Sequence, residues 1–403
     1  MNNLTVERKV HLQNINSYIL VLIAFFIPLS VAIPSLLTAV YLIIWLLLGN
    51  FKEDWNSIKD NKVVLAVLFF TLIHIIGLLW SSSVEYGLLY TIKKESRLLL
   101  IPLFMLFVQK KHIKYYFYAF LLAISIAEIS SYSIFFQIIE PFKRATLEDP
   151  TPFLGHIIYN PLLSIAIYIL LHNILFDKDI SQKQKTLYSL FVFTMSVNMF
   201  ITGGRAGQLM YFAMLFIISF QYFEKQRVKA VLLPLFIIPI ISVAFYNLSP
   251  IFQQRVDAAY SNISNFQQNK NTPVGTRINW AINSFELIKE NPILGSGTGS
   301  FRGEYETINQ KLTPDIPSTI NPHNMYIFEL VELGTVGLLS LLTILFFQIK
   351  SSFNAKDKLL KNLGLTLPLL FMLIMLSESY LLIPNTAFFF AFFSAIVYKK
   401  YKD

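Results

Sequence analysis

Residues 12–51 read LQNINSYILVLIAFFIPLSVAIPSLLTAVYLIIWLLLGNF, forty positions without one Asp, Glu, Lys or Arg. A helix needs about 20 apolar residues to cross the hydrocarbon of a bilayer. This stretch is therefore long enough for two crossings, with Pro28 and Pro34 bracketing the turn between them. Further charge-free stretches run over residues 63–84, 98–109, 150–176, 186–204, 206–223, 230–254, 333–349, 362–377 and 379–398. Residues 115–139 are interrupted only by Glu128. With the first stretch counted as two, the reading gives about 12 transmembrane helices, of which 98–109 is the shortest for a full crossing. Helices satisfy their own backbone polar groups in lipid. The expected fold class is thus an all-α polytopic membrane protein.

Composition supports that class. The chain of 403 residues is 55% hydrophobic and 14% charged, with 37 Phe and 20 Tyr. An ordinary soluble domain carries about 25% charged residues, so polar surface here is too scarce to cover a water-soluble globule. The net charge of +9 lies between apolar runs, which speaks for membrane topology and against nucleic acid. No cysteine occurs, which excludes disulfides, thiolate nucleophiles and Cys-ligated metals. No small-residue cleavage site follows the first apolar run, so an uncleaved anchor is expected.

Lysines and arginines orient the spans. With both termini in the cytoplasm, 21 of the 33 positive residues fall on the inner side. Every inner connection then carries at least two. The short outer connections carry few. The expected organisation is residues 1–245 as helices 1–9, 246–322 as a long periplasmic loop, and 323–403 as helices 10–12. Within the loop, Ile278, Ala281, Ile282, Phe285 and Ile288 recur at helical spacing, which predicts an amphipathic helix over residues 277–289 that stops at Asn291-Pro292. Gly295, Gly297 and Gly299 then form a flexible turn, with a weak resemblance to a phosphate-binding nest.

Three basic residues stand at outer boundaries. Arg205 lies in TGGRAGQ, residues 202–208. It either anchors a helix end at the headgroups or grips a phosphate in a bidentate way, with Gly203, Gly204 and Gly207 admitting backbone and ligand. Arg277, in PVGTRINWAINSF with Thr276 as N-cap, is either a solvated helix residue or a second phosphate ligand. Asn321-Pro322-His323 reads as N-cap, first helical proline and first-turn histidine. Near a positive helix end, a neutral imidazole can accept a proton beside a bound phosphate. Alternatively it only hydrogen-bonds a neighbour. Glu329 and Glu332 follow on that helix, and Gly334 and Gly337 permit close packing there. His74 and Glu128, ionisable groups inside apolar runs, are further candidates. Asp177-Lys178-Asp179 reads as a solvated loop. No P-loop, HExxH or EF-hand pattern occurs.

Four segments together resemble the O-antigen ligase family, within the group that includes O-antigen polymerases and other glycosyltransferases acting on lipid-linked glycans. They are TGGRAGQ at 202–208, GTRINWA at 275–281, ENPILGSGTGSF at 290–301 and NPHNMYIFELVELGTVGLL at 321–339. The layout of spans and one long loop before a late histidine-bearing helix is similar as well, and resembles that of a GT-C-type glycosyltransferase. The resemblance implies that His323 is the catalytic base and that Arg205 and Arg277 bind the substrate pyrophosphate. It implies an undecaprenyl-pyrophosphate-linked glycan donor, a lipid A-core acceptor, no cofactor and no metal, and inversion at the anomeric carbon. The implied location is the inner membrane of a Gram-negative bacterium, with the site facing the periplasm. Arg302 or Lys311 would meet the acceptor's phosphates. An O-antigen polymerase uses the same donor and stays open as an alternative. A transporter or flippase of lipid-linked sugars is disfavoured, because no repeated halves are visible.

Overall fold

The computed structural model of the chain describes residues 6–266 and 269–401; Lys402, one of the inner-side lysines, lies outside them. Among the described residues there are sixteen α-helices of eight residues or more and no strand. We number them α1 Val6–Phe26, α2 Ala32–Leu48, α3 Phe51–Ile58, α4 Lys62–Ile76, α5 Leu100–Phe107, α6 Ile113–Phe135, α7 His156–Phe176, α8 Gln182–Ile201, α9 Arg205–Tyr222, α10 Arg227–Leu248, α11 Pro250–Ser264, α12 Pro273–Glu290, α13 Phe301–Leu312, α14 Met325–Ser352, α15 Lys358–Ile374 and α16 Pro384–Tyr398. Caps fix several starts. The Asn61 and Asp357 side chains accept backbone N–H groups at α4 and α15, and Ser181 with Gln184 forms a capping box at α8.

Among the described residues, five helical segments are long and apolar enough to cross a membrane: Lys62–Trp80, Lys110–Phe135, His156–Phe176, Arg227–Leu248 and Met325–Ser352. A sixth arises if α2 and α3, bent by 113°, form one broken span. The difference from the twelve expected has a physical source. A charge-free run need not be one continuous helix. Residues 98–109 hold only the eight-residue α5, and α15 and α16 are 17 and 15 residues long.

The centre of the molecule is α16. All of its residues after Pro384 are buried. Its phenylalanines meet Phe104 of α5, Tyr116 and Phe120 of α6, and Phe371 of α15. In contrast, only 11% of the apolar window of α10 is buried. Around this core α7 packs on α9 and α8, and α4 packs on α14.

The long connection after α10 is itself helical, with α11 and α13 in addition to the expected helix. That helix, α12, starts earlier than expected. Thr272 caps it by accepting from the Gly275 amide and Pro273 follows at the first position, so Thr276 lies inside the helix. It ends at Glu290, before Asn291-Pro292 as the sequence indicates. The glycine turn after it is a packed joint instead of a flexible one. Gly299 has φ +86°, and a Cβ there would lie 2.3 Å from Gly87 Cα. The Gly299 amide donates to Glu332 at 2.9 Å and the Thr298 amide to the Gly77 carbonyl at 3.1 Å.

Candidate active site

His323 precedes its helix. Asn324 is the N-cap of α14, accepting from the amides of Tyr326 and Ile327, so the cap lies three residues later than the sequence suggested. His323 itself has φ +52°, a left-handed conformation uncommon outside glycine. Asn321 holds it there. Its Oδ1 accepts from the His323 amide at 3.0 Å and from Ser379 Oγ at 2.8 Å, and its Nδ2 donates to Glu378 Oε1 at 2.9 Å. A side-chain clamp thus ties the approach to α14 to the loop between α15 and α16.

The same loop orients the imidazole. His323 Nδ1 lies 2.5 Å from Glu378 Oε2. Glu378 already accepts from Asn321 and from the Ser379 amide, so it acts as an acceptor and Nδ1 carries the hydrogen. In the neutral ring Nε2 then holds the free lone pair. Burial pushes the Glu378 carboxyl up, but the bond and charge of His323, the Ser379 amide and Asn321 outweigh it and hold it below the usual carboxylate value. Trp280 of α12 stacks on the His323 ring at 5.1 Å and 21°. Its indole is fixed by donation to the Pro317 carbonyl at 2.8 Å.

A cavity of about 450 Å³ joins this pair to the basic residues. Arg205, Arg277 and His323 all line it, although they come from α9, α12 and the approach to α14. Arg255 of α11 lines it too, and Glu378 is its one carboxylate. Burial, then the charges of Arg277 and Arg255, hold the Arg205 guanidinium below its ordinary value. Three guanidiniums around one cavity repel each other, and a polyanion bound among them relieves that repulsion. The glycines beside Arg205 serve the fold first. A Cβ on Gly207 would lie 2.2 Å from Asn160 Cβ, so it lets α9 approach α7. Gly203 and Gly204 line the cavity itself.

His323 also lines a second cavity of about 260 Å³, with Tyr86, Tyr90, Lys94, Arg302 and Asn321. Tyr86 and Tyr90 stack at 4.7 Å, and Arg302 lies over the Tyr86 ring. Lys311 is exposed near the end of α13.

Residues 190–342 match the O-antigen ligase family. The matched segment contains Arg205, Arg255, Arg277 and His323, while Glu378 lies beyond it. The family is one of glycosyltransferase-like enzymes of the ligase and polymerase group. Over 357 residues the chain is also 28% identical to an uncharacterized protein of Haemophilus influenzae, covering 82% of this chain and 84% of that one.

Of the weaker candidates, Glu128 is buried within α6 and His74 at the end of α4, and neither lines the arginine cavity. Asp177 to Asp179 is an exposed loop. The sequence reading passed over Arg255, Trp280, Glu378 and a second pair, His156 Nδ1 to Asp149 Oδ2 at 2.7 Å, whose histidine lines the same cavity. Glu378 had left a signal. It is the single charge dividing the apolar runs 362–377 and 379–398.

Proposed function

We propose that this chain is an O-antigen ligase-like glycosyltransferase, moving a glycan from undecaprenyl pyrophosphate to a sugar hydroxyl of lipid A-core at the periplasmic face of the inner membrane. The observation that carries the reading is the shared cavity, in which three arginines stand beside a histidine held by a carboxylate. Arg205, Arg255 and Arg277 bind the pyrophosphate and stabilise its growing charge as the sugar departs. His323 Nε2 takes the proton of the acceptor hydroxyl. Glu378 keeps Nδ1 protonated and stabilises the imidazolium, as Trp280 does through its ring face. The bond from acceptor oxygen to anomeric carbon forms while the bond from that carbon to phosphate oxygen breaks. Direct displacement inverts the centre, and the activated donor makes ATP and nucleotide sugar unnecessary.

The second cavity supports a place for the acceptor. Tyrosine faces suit sugar rings, and Lys94 and Arg302 suit the phosphates of a lipid A-core. His323 lies between that cavity and the arginines, where a base must stand. The topology of the reading is 12 spans with both termini cytoplasmic. Reporter fusions after Asn271 and after Lys356 should then report opposite compartments.

The decisive experiment supplies purified protein with undecaprenyl-pyrophosphate glycan and lipid A-core, without ATP or an ion gradient. A new glycosidic product is expected, and its absence with an active donor would sink the reading. A polymerase uses the same donor chemistry, and the deletion strain separates the two. Loss of a ligase leaves bare lipid A-core and polymer on its lipid carrier, whereas loss of a polymerase leaves lipid A-core capped by one repeat unit.

A further inference from the structure

A second group of ionisable side chains lies away from the arginine cavity. His74, Glu95 and Glu329 come from α4, the segment before α5, and α14, and all three are buried. His74 Nε2 lies 2.9 Å from Glu95 Oε2 and 3.2 Å from Glu329 Oε2. The three donor atoms fall within 4.8 Å of one another. None of the four carboxylate oxygens of Glu95 and Glu329, nor His74 Nε2, has a hydrogen bond of normal geometry. The other ring nitrogen is engaged, since Nδ1 lies 2.9 Å from the Phe70 carbonyl. A carbonyl only accepts, so Nδ1 carries a hydrogen. In the neutral ring Nε2 therefore turns a lone pair toward two carboxylates.

Acceptors that face each other without solvent need a proton or a cation between them. An imidazolium would offset one of the two carboxylates and leave the other uncompensated. The nearby charges do not close the balance. Glu332 adds a third carboxylate within electrostatic reach, itself anchored by the Gly299 amide. Lys94, half-buried at the second cavity, is within electrostatic reach of Glu95 and Glu332, and with an imidazolium it still leaves three carboxylates facing two cations.

We propose that His74, Glu95 and Glu329 bind a divalent transition ion of the Zn²⁺ or Mn²⁺ kind. One imidazole and two carboxylates neutralise such an ion and give it three protein ligands, with a position left for water. The nitrogen donor favours it over Mg²⁺ or Ca²⁺, which take oxygen ligands. Tetrahedral bonds of about 2.0–2.2 Å put donor atoms about 3.3–3.6 Å apart, so the two His74 contacts must lengthen by a few tenths of an ångström, and the Glu95 and Glu329 donor atoms, bounded at 4.8 Å, must settle to the same spacing. The Phe70 carbonyl supplies the outer contact that fixes a ligating histidine. Glu332, which lines the second cavity, gives the ion a route inward. The ion is structural. It joins α4 to α14 beneath the glycine turn and touches neither the arginines nor His323.

The test uses the full chain in detergent, stripped with EDTA and then dialysed against Zn²⁺ or Mn²⁺. Wild-type protein should retain about one ion per chain by elemental analysis. Its thermal midpoint should fall on stripping and return on reloading. Glu95→Gln and Glu329→Gln should lose the ion and the response to chelator. Wild-type protein that retains neither ion, with a midpoint indifferent to EDTA, would overturn the site and leave protons as the occupants. Retention of the ion by both variants would overturn it as well, by placing the ion elsewhere. If the variants do not fold, the wild-type stripping arm still decides.

Discussion

Two histidines in this molecule face carboxylates, and their surroundings differ in every other respect. His323 is partly exposed, with 27% of its side chain open. It meets one carboxylate whose other oxygen accepts from Asn321 and the Ser379 amide, beside three guanidiniums. His74 is sealed off and meets two carboxylates, whose oxygens have no hydrogen-bond partner beyond its ring among the described residues. An open imidazole with one oriented partner can pass a proton to and from substrate. A closed one with an excess of negative charge can only hold something in place. Reactivity here follows access and partner count, while residue type alone would have made the two sites equal.

The sharpest break between them is expected from alanine at each. His323→Ala should lower the transfer rate by about 10²–10⁴-fold, the usual contribution of a general base, while pyrophosphate binding persists. His74→Ala should lower the yield of folded protein and its thermal midpoint, with the rate per folded molecule nearly unchanged. Equal loss of rate per folded molecule at both positions would erase the distinction.

The arginines come next in size. Arg205→Lys should cost about 10²–10³-fold in transfer, since an ammonium cannot reproduce a bidentate guanidinium contact. Arg255→Ala and Arg277→Ala should fall in the same range. Direct binding of a polyprenyl pyrophosphate, measured alongside, should weaken in each. A variant that transfers slowly but binds donor normally would remove that arginine from the pyrophosphate site.

Glu378→Gln should act more weakly and mainly through pH. The native carboxyl sits below its unfolded value of about 4.3. The unfolded chain therefore binds the proton first as pH falls. The stability from this carboxylate is present above that value and is lost as pH drops through the folded one. In Glu378→Gln that acid-sensitive part should vanish, so the urea midpoint should fall less between pH about 5 and pH about 3 than in wild type. An unchanged acid slope would detach Glu378 from His323.

Much of this is legible in the sequence. Arg205, Arg277 and His323 were marked by their place at apolar boundaries, and α12 by its spacing. What stayed hidden depends on packing across the chain. Asp149 and Arg255 carry no local pattern and Glu378 only its isolation between two apolar runs, so the folding of the chain around the arginine cavity is what gives them meaning. Counting spans meets a related difficulty. Apolarity reports removal from water, and it cannot separate α10, whose apolar surface is left uncovered by the rest of the chain, from α16, which protein surrounds. The Asn-Pro-His stretch looked like a helix start by its residues. Asn324 captured the first free amides, which left His323 outside the helix in a left-handed turn.

The smallest expected effect tests which histidine is the base. His156 and Asp149 form a pair much like His323 and Glu378, at 2.7 Å, and both histidines line the arginine cavity. Burial raises the Asp149 carboxyl, but the bond and charge of His156 lower it more, so it too stays below its ordinary value. Chemistry at the ring therefore gives no reason to prefer one pair. Position does. A base must touch the acceptor as well as the donor, and His323 alone of the two lines the cavity with Tyr86, Tyr90 and Arg302. His156 instead opens on a recess of about 440 Å³ with Arg144 and Asp149. His156→Gln should accordingly leave transfer within about threefold of wild type, well short of the loss expected for a general base. If it matches His323→Ala, the acceptor enters through the Arg144 recess, and the cavity beside Tyr86 loses the role assigned to it.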